Sequence, residues 1–235
     1  MKMNKLSALR VLFLLAFVLQ ILFPDISHST TQSDFLSPCV NDLMGMDVIN
    51  EYNDTLRKYL FTEKDVEEPG KLVRMVILPS FKTEKYLAIY KTKQGQYRLE
   101  FSEPENSIWS SLQERKIPAK YKDKNTPKVE DIKIKTYRKT ISDKLANSVS
   151  NLWWEMIKKQ QYSESTFMLL DGTMYLFSSG AGTCGMAVGI EGENVKSLIN
   201  IGQKLKNYAL QKETFAETET QITKDVKALL DKLTT

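Results

Sequence analysis

Apolar residues recur along this chain in two rhythms, and the rhythm changes where one kind of element gives way to another. Met44, Val48, Tyr52, Leu56 and Tyr59 return every three or four residues, which predicts a helix over about 41–61 with one buried stripe. Glu67-Glu68-Pro69-Gly70 ends that pattern. The runs Leu72 to Leu78, Tyr86 to Tyr90 and Gln96 to Phe101 then predict three strands, the last two joined at Lys93-Gln94-Gly95, where glycine supplies a positive φ. A short helix is expected over Ser107 to Glu114. Val129 to Tyr137 sets Ile132, Ile134 and Thr136 between charges, as a half-buried strand does. Ser142 reads as an N-cap, because Leu145, Val149, Leu152, Trp153 and Met156 behind it share one face of a helix reaching about Gln160.

The run Phe167 to Phe177 is apolar on both sides of Asp171-Gly172, a dipeptide that favours a two-residue hairpin turn. In that register Met168 faces Tyr175 and Phe167 faces Leu176, with both faces apolar, so the hairpin belongs at the centre of a sheet. The glycine-rich stretch after it, Ser179 to Gly185 with Gly189 and Gly192 beyond, reads as a connection. Val195, Leu198, Ile199, Gly202, Leu205 and Ala209 predict a helix over 193–210, and Ile222, Val226, Leu229, Leu230 and Leu233 a last one within 212–235. Together these elements predict one α+β domain over 30–235. An antiparallel sheet of about five or six strands is packed by three or four helices, those near 41–61, 142–160 and 193–210, with the C-terminal helix closing the layer.

Residues 1–29 have the anatomy of a signal peptide. Lys2, Lys5 and Arg10 precede an apolar run from Val11 to Phe23, then Pro24 and the small residues around Ser27 and Ser29. The run of about 13 residues is shorter than the roughly 20 a spanning helix needs, so cleavage near Ser29, with no stable membrane span afterwards, is the expectation. A bacterial periplasmic or secreted location follows from that. Cleavage would remove His28, the only histidine in the chain. Without imidazole, Ser-His-Asp and Cys-His catalysis and histidine-containing zinc sites are excluded from the mature protein.

Two cysteines remain, Cys39 and Cys184, and in an oxidising compartment they are expected to join. The closed loop of nearly 150 residues is worth roughly 4 to 5 kcal/mol in chain-entropy terms.

Charge is placed unevenly although the total is modest. Between Arg115 and Lys139 ten basic residues stand against Asp123, Glu130 and Asp131. Lys120, Tyr121, Lys122, Lys124 and Lys128 combine positive charge with an aromatic ring, a mixture suited to an anionic partner, and Trp154, next to the buried-stripe Trp153, is a second candidate contact. The same stretch also fits a solvated lysine-rich loop leading into a charged edge strand. Outside the cytoplasm the counterpart is an acidic protein or an anionic envelope component, not nucleic acid.

Other constellations are weaker. Gly180-x-Gly182-x-x-Gly185 has phosphate-loop spacing but follows a hairpin strand and holds a bridging cysteine. Asp47, Glu51 and Asp54 line one helix face and would permit histidine-free glycoside hydrolysis, though such a line is usually a helix's wet side. Ser178 and Ser179 lack a lysine at Ser-x-x-Lys spacing. No catalytic residue, metal ligand or cofactor is therefore assigned. The expected function is that of an exported, non-catalytic envelope binding protein, such as an inhibitor or immunity factor occluding a toxin or hydrolase. The alternatives are a carboxylate-dependent glycoside hydrolase acting on cell-wall sugar and a structural component of an envelope assembly.

Overall fold

The computed structural model of the chain describes residues 34–39, 47–61, 73–116, 127–161, 172–180, 183–188, 192–210 and 218–234. In chain order the elements are β1 (Ser37–Pro38), α1 (Asp47–Tyr59), β2 (Val73–Pro79), β3 (Lys85–Lys91), β4 (Tyr97–Pro104) and α2 (Ile108–Lys116). A 3-10 turn (Val129–Asp131) leads to β5 (Ile134–Ile141), α3 (Asp143–Lys158), β6 (Thr173–Ser179), β7 (Thr183–Val188), α4 (Glu193–Ala209) and α5 (Glu219–Thr234). The seven strands form one antiparallel sheet in the order β1-β7-β6-β2-β3-β4-β5.

Alternate residues of each strand point to opposite faces, and here both faces are covered. On one face Val73, Met75, Leu87, Ile89, Leu99, Phe101 and Phe177 pack under the buried stripes of α3, α4 and α5. Trp153 of α3 lies edge-on to Phe177 at 5.4 Å between centroids, and its indole N–H donates to the carbonyl of Arg74 at 3.1 Å. On the other face Val76, Tyr86, Ala88 and Tyr90 pack against Leu56 and Leu60 of α1, Ile108 and Leu112 of α2, and Val129 and Ile132. Five consecutive buried residues in β3, Tyr86 to Tyr90, are the direct result of a strand covered on both sides.

The α+β fold, the antiparallel sheet and the Cys39–Cys184 disulfide are as expected from the sequence. Gly95 takes φ +80 in the β3–β4 turn, and the Ser142 hydroxyl accepts from the Leu145 amide at 3.2 Å. Four expectations need correction. The strand count is seven, not five or six, because Thr183 to Val188, read as a glycine-rich connection, is strand β7, and Ser37–Pro38 adds a short edge. Helix α1 does not share a layer with the later helices; it lies with α2 on the opposite face. The strand expected from Val129 starts only at Ile134, after the 3-10 turn. Finally, β2 and β7 occupy both sides of β6, so Tyr175 faces Ile77 and Ala187, not Met168. Residues 167–170 lie outside the described residues.

Candidate functional site

The basic stretch enters the structure through α2, and the position of that helix is set by one buried acid. Glu84, 1 % exposed, follows the β2–β3 turn and accepts from the amides of Ile108 at 2.9 Å and Trp109 at 2.8 Å, from Tyr52 Oη at 3.0 Å and from Ser107 Oγ at 3.2 Å. A carboxylate at a helix N-terminus satisfies orphan amides and complements the helix dipole. Burial, then the charge and hydrogen bond of Glu84, raise the pKa of the Tyr52 hydroxyl, so it stays a donor. Tyr52 also packs edge-on to Trp109, 5.1 Å away.

At the other end of α2, Arg115 and Lys116 reach across to α1. Arg115 lies 3.9 Å from Glu51 and binds Glu130 of the 3-10 turn, while Lys116 lies 3.6 Å from Glu51. Glu51, Arg115 and Glu130 line an open groove of about 400 Å³, completed by Asp54, Thr55, Lys58, Tyr59 and Val129. Glu51 and Asp54, two of the three acids singled out on the first helix, are thus in the groove; the side chain of Asp47 lies outside the described residues. The Glu130 carboxyl is held below the usual carboxylate range by its own backbone amide and by Arg115. Glu51 lies within ion-pair distance of two cations.

Further along, the basic residues divide into two groups. Lys135 pairs with Glu105 at 3.4 Å, Arg138 with the fully buried Glu100 at 2.6 Å, and Lys139 lies 3.7 Å from the centroid of the Tyr208 ring. Glu100 also accepts from Tyr90 Oη at 2.9 Å; burial and this acid push the Tyr90 hydroxyl up to about 12. Lys128 and Lys133, by contrast, are exposed beside the 3-10 turn. Lys120, Tyr121, Lys122 and Lys124 lie outside the described residues, between Lys116 at the end of α2 and Pro127.

Trp154 is 44 % exposed on α3 while Trp153 is buried, as their 100° separation on a helix requires. It does not share a surface with Lys128: α3 covers one face of the sheet, and the turn after Lys128 covers the other. Phe81, 82 % exposed in the β2–β3 turn, was not singled out from the sequence, and nothing in its local pattern separates it from a buried ring. Arg115 and Glu130 were also missed as groove residues. The available signal was complementarity between the acidic face of the first helix and the basic end of the second. The stripe of α5 formed by Ile222, Val226, Leu229 and Leu233 is buried inside the fold, which leaves no apolar face of that stripe for an assembly.

Among the described residues no group of three His, Cys, Asp or Glu side chains is placed to hold a metal, and no helix is long and apolar enough to cross a membrane. No protein-family model matches the chain, and no significant match is found among curated proteins or solved structures.

Proposed function

We propose that this chain is an exported, non-catalytic binding protein that meets an anionic partner through its basic stretch and acts by occlusion, as an inhibitor or immunity factor does. The anionic partner is an acidic protein or another anionic component of the envelope. The observation that carries the reading is the division of positive charge within 115–139. Arg115, Lys116, Lys135, Arg138 and Lys139 are tied to acids or rings of the fold, and Lys128 and Lys133 are exposed on either side of the 3-10 turn. Tied cations hold the scaffold in one geometry; solvated ones remain available for a partner, where they set association rate and specificity.

The test is capture from envelope extract by the wild-type chain and by a variant with Lys120, Lys122, Lys124 and Lys128 changed to Glu. The reading expects an anionic partner whose retention falls on the order of tenfold in the variant and also falls at high salt. Equal retention by both proteins removes the basic stretch from the account. Release of reducing sugar ends from purified cell wall by the wild-type chain would instead establish an enzyme.

A further inference from the structure

Residues 34–39 cross one edge of the fold and touch three elements. The Leu36 side chain is fully buried in the core, and its carbonyl accepts from the Gln161 amide at 3.0 Å beyond the end of α3. Ser37 and Pro38 pair with Met186 and Gly185 of β7, and the Cys39 amide donates to the Cys184 carbonyl at 3.4 Å. Asp34 accepts from the Asn194 amide at 3.3 Å at the start of α4. Two glycines make room for this segment. A Cβ on Gly185 would lie 2.8 Å from Leu36 Cδ1, and one on Gly192 would lie 2.9 Å from the Asp34 Cα.

We infer that Asp34 to Cys39 is a redox-latched strap, seated by the Cys39–Cys184 bond more than by its own contacts, and that reduction of that bond unseats it and opens the outer edge of β7. Among the contacts described, one side chain is fully buried, regular pairing extends over two residues, one of them proline, and the bonds at its two ends, from the Asn194 amide to Asp34 at 3.3 Å and from the Cys39 amide at 3.4 Å, are longer than the usual range. Fixing six residues against that return is unfavourable unless the denatured alternatives are already restricted, which is what a crosslink does. The bond joins residues 145 apart and both cysteines are partly exposed, so an attacking thiolate can reach it. A dithiol supplies the chemistry. One thiolate forms a mixed disulfide with either sulfur and the second resolves it. Two electrons and two protons thereby pass to Cys39 and Cys184, and the dithiol leaves as its own disulfide.

What the strap covers explains why a latch matters. The strand β7, Thr183 to Val188, carries no charge and no proline, the features that keep an edge strand from pairing with other chains. The opposite edge, β5, carries Lys135, Arg138 and Lys139. Strap seated, the sheet ends in Pro38 and a covalent bond; strap released, it ends in an uncharged strand.

Hydrogen exchange with mass-spectrometric readout tests this on the full oxidised protein, on the same protein reduced with dithiothreitol, and on a Cys39→Ala/Cys184→Ala variant. In the reduced protein and the double variant, exchange in 34–39 and 183–188 should rise at least about tenfold while β3 and β4 stay protected. Leu36→Ala with the bond intact should change exchange in those segments less than about threefold. Unchanged exchange on reduction would show that the strap's contacts suffice. Loss of protection throughout the sheet would show that the bond holds the whole fold. Equal release by Leu36→Ala would assign the seating to the leucine. Each of these results overturns the latch.

Discussion

Replacing Glu84 probes the contact that positions α2, and through it the groove wall. The carboxylate uses both oxygens, Oε2 for the Ile108 amide and Oε1 for Trp109, Tyr52 and Ser107. Glu84→Ala strands two backbone amides at the start of α2. Each buried donor without a partner costs about 1 to 3 kcal/mol, for a gross loss of about 2 to 6 kcal/mol. Relief from holding a charge away from water returns part of that, leaving a net loss of about 3 kcal/mol. The hydroxyls of Tyr52 and Ser107 can rotate to other partners, and Ser107 already accepts from the Ser110 amide at 3.2 Å, so they add little. Glu84→Gln is the sharper variant. Its single carbonyl can serve one amide, and its NH₂ then faces the other, so about 2 kcal/mol is expected from one stranded donor and the repulsion beside it. Urea titration followed by tryptophan fluorescence measures both. For a domain of this size, 3 kcal/mol corresponds to a fall in Tm of about 6 to 12 °C. A Glu84→Gln protein within about 0.5 kcal/mol of wild type would refute the view that this acid fixes the helix.

Three further outcomes follow from the structure. Tyrosinate absorbance should rise in at least two steps, because Tyr52, Tyr90, Tyr175 and Tyr208 all have raised hydroxyl pKa values, with burial the first cause in each. For Tyr90 the protonated form is favoured by folding, so its contribution to stability is complete below pH 10 and disappears as pH climbs from 10 to about 12; a single tyrosinate step at pH 10 in the folded protein would contradict this. Removing the disulfide by Cys39→Ala/Cys184→Ala should lower unfolding free energy by up to about 5 kcal/mol, read by urea titration, with a loss under about 1 kcal/mol as the contrary result. Gly202→Val should destabilise by about 1 to 3 kcal/mol in the same titration, since even a Cβ there would overlap the thioether of Met75, whereas a neutral substitution would mean that Met75 repacks freely.

Much of the fold was legible because its elements carry strong periodicity. The stripe Leu145, Val149, Leu152, Trp153 and Met156 located α3 together with its cap, and glycine at 95 located a turn. What periodicity does not state is which face of a sheet a stripe packs against. Helices α1 and α3 each show one buried side, and only the two-sided burial of β3 assigns them to different layers. Strand β7 was hidden for a different reason. Thr-Cys-Gly-Met-Ala-Val has a glycine where a strand would carry a side chain, and that glycine is required by Leu36, nearly 150 residues earlier. The candidate surface was legible only as composition. Ten cations in one stretch are visible in the sequence, but the division of the described ones into those bound by Glu51, Glu100, Glu105 and Glu130 and those left exposed depends on long-range pairing. Glu84 gave no signal, since its partners lie 23 to 32 residues away in sequence.

The proposed export, which would leave a chain lacking imidazole and keep its sulfurs joined, underlies both the binding proposal and the strap. Intact mass of the protein isolated from its native source, unfolded in iodoacetamide without reductant, measures both properties in one spectrum. The account predicts a chain beginning near residue 30 with no added alkyl group. A chain that begins at Met1 and carries two alkylated cysteines would contradict it.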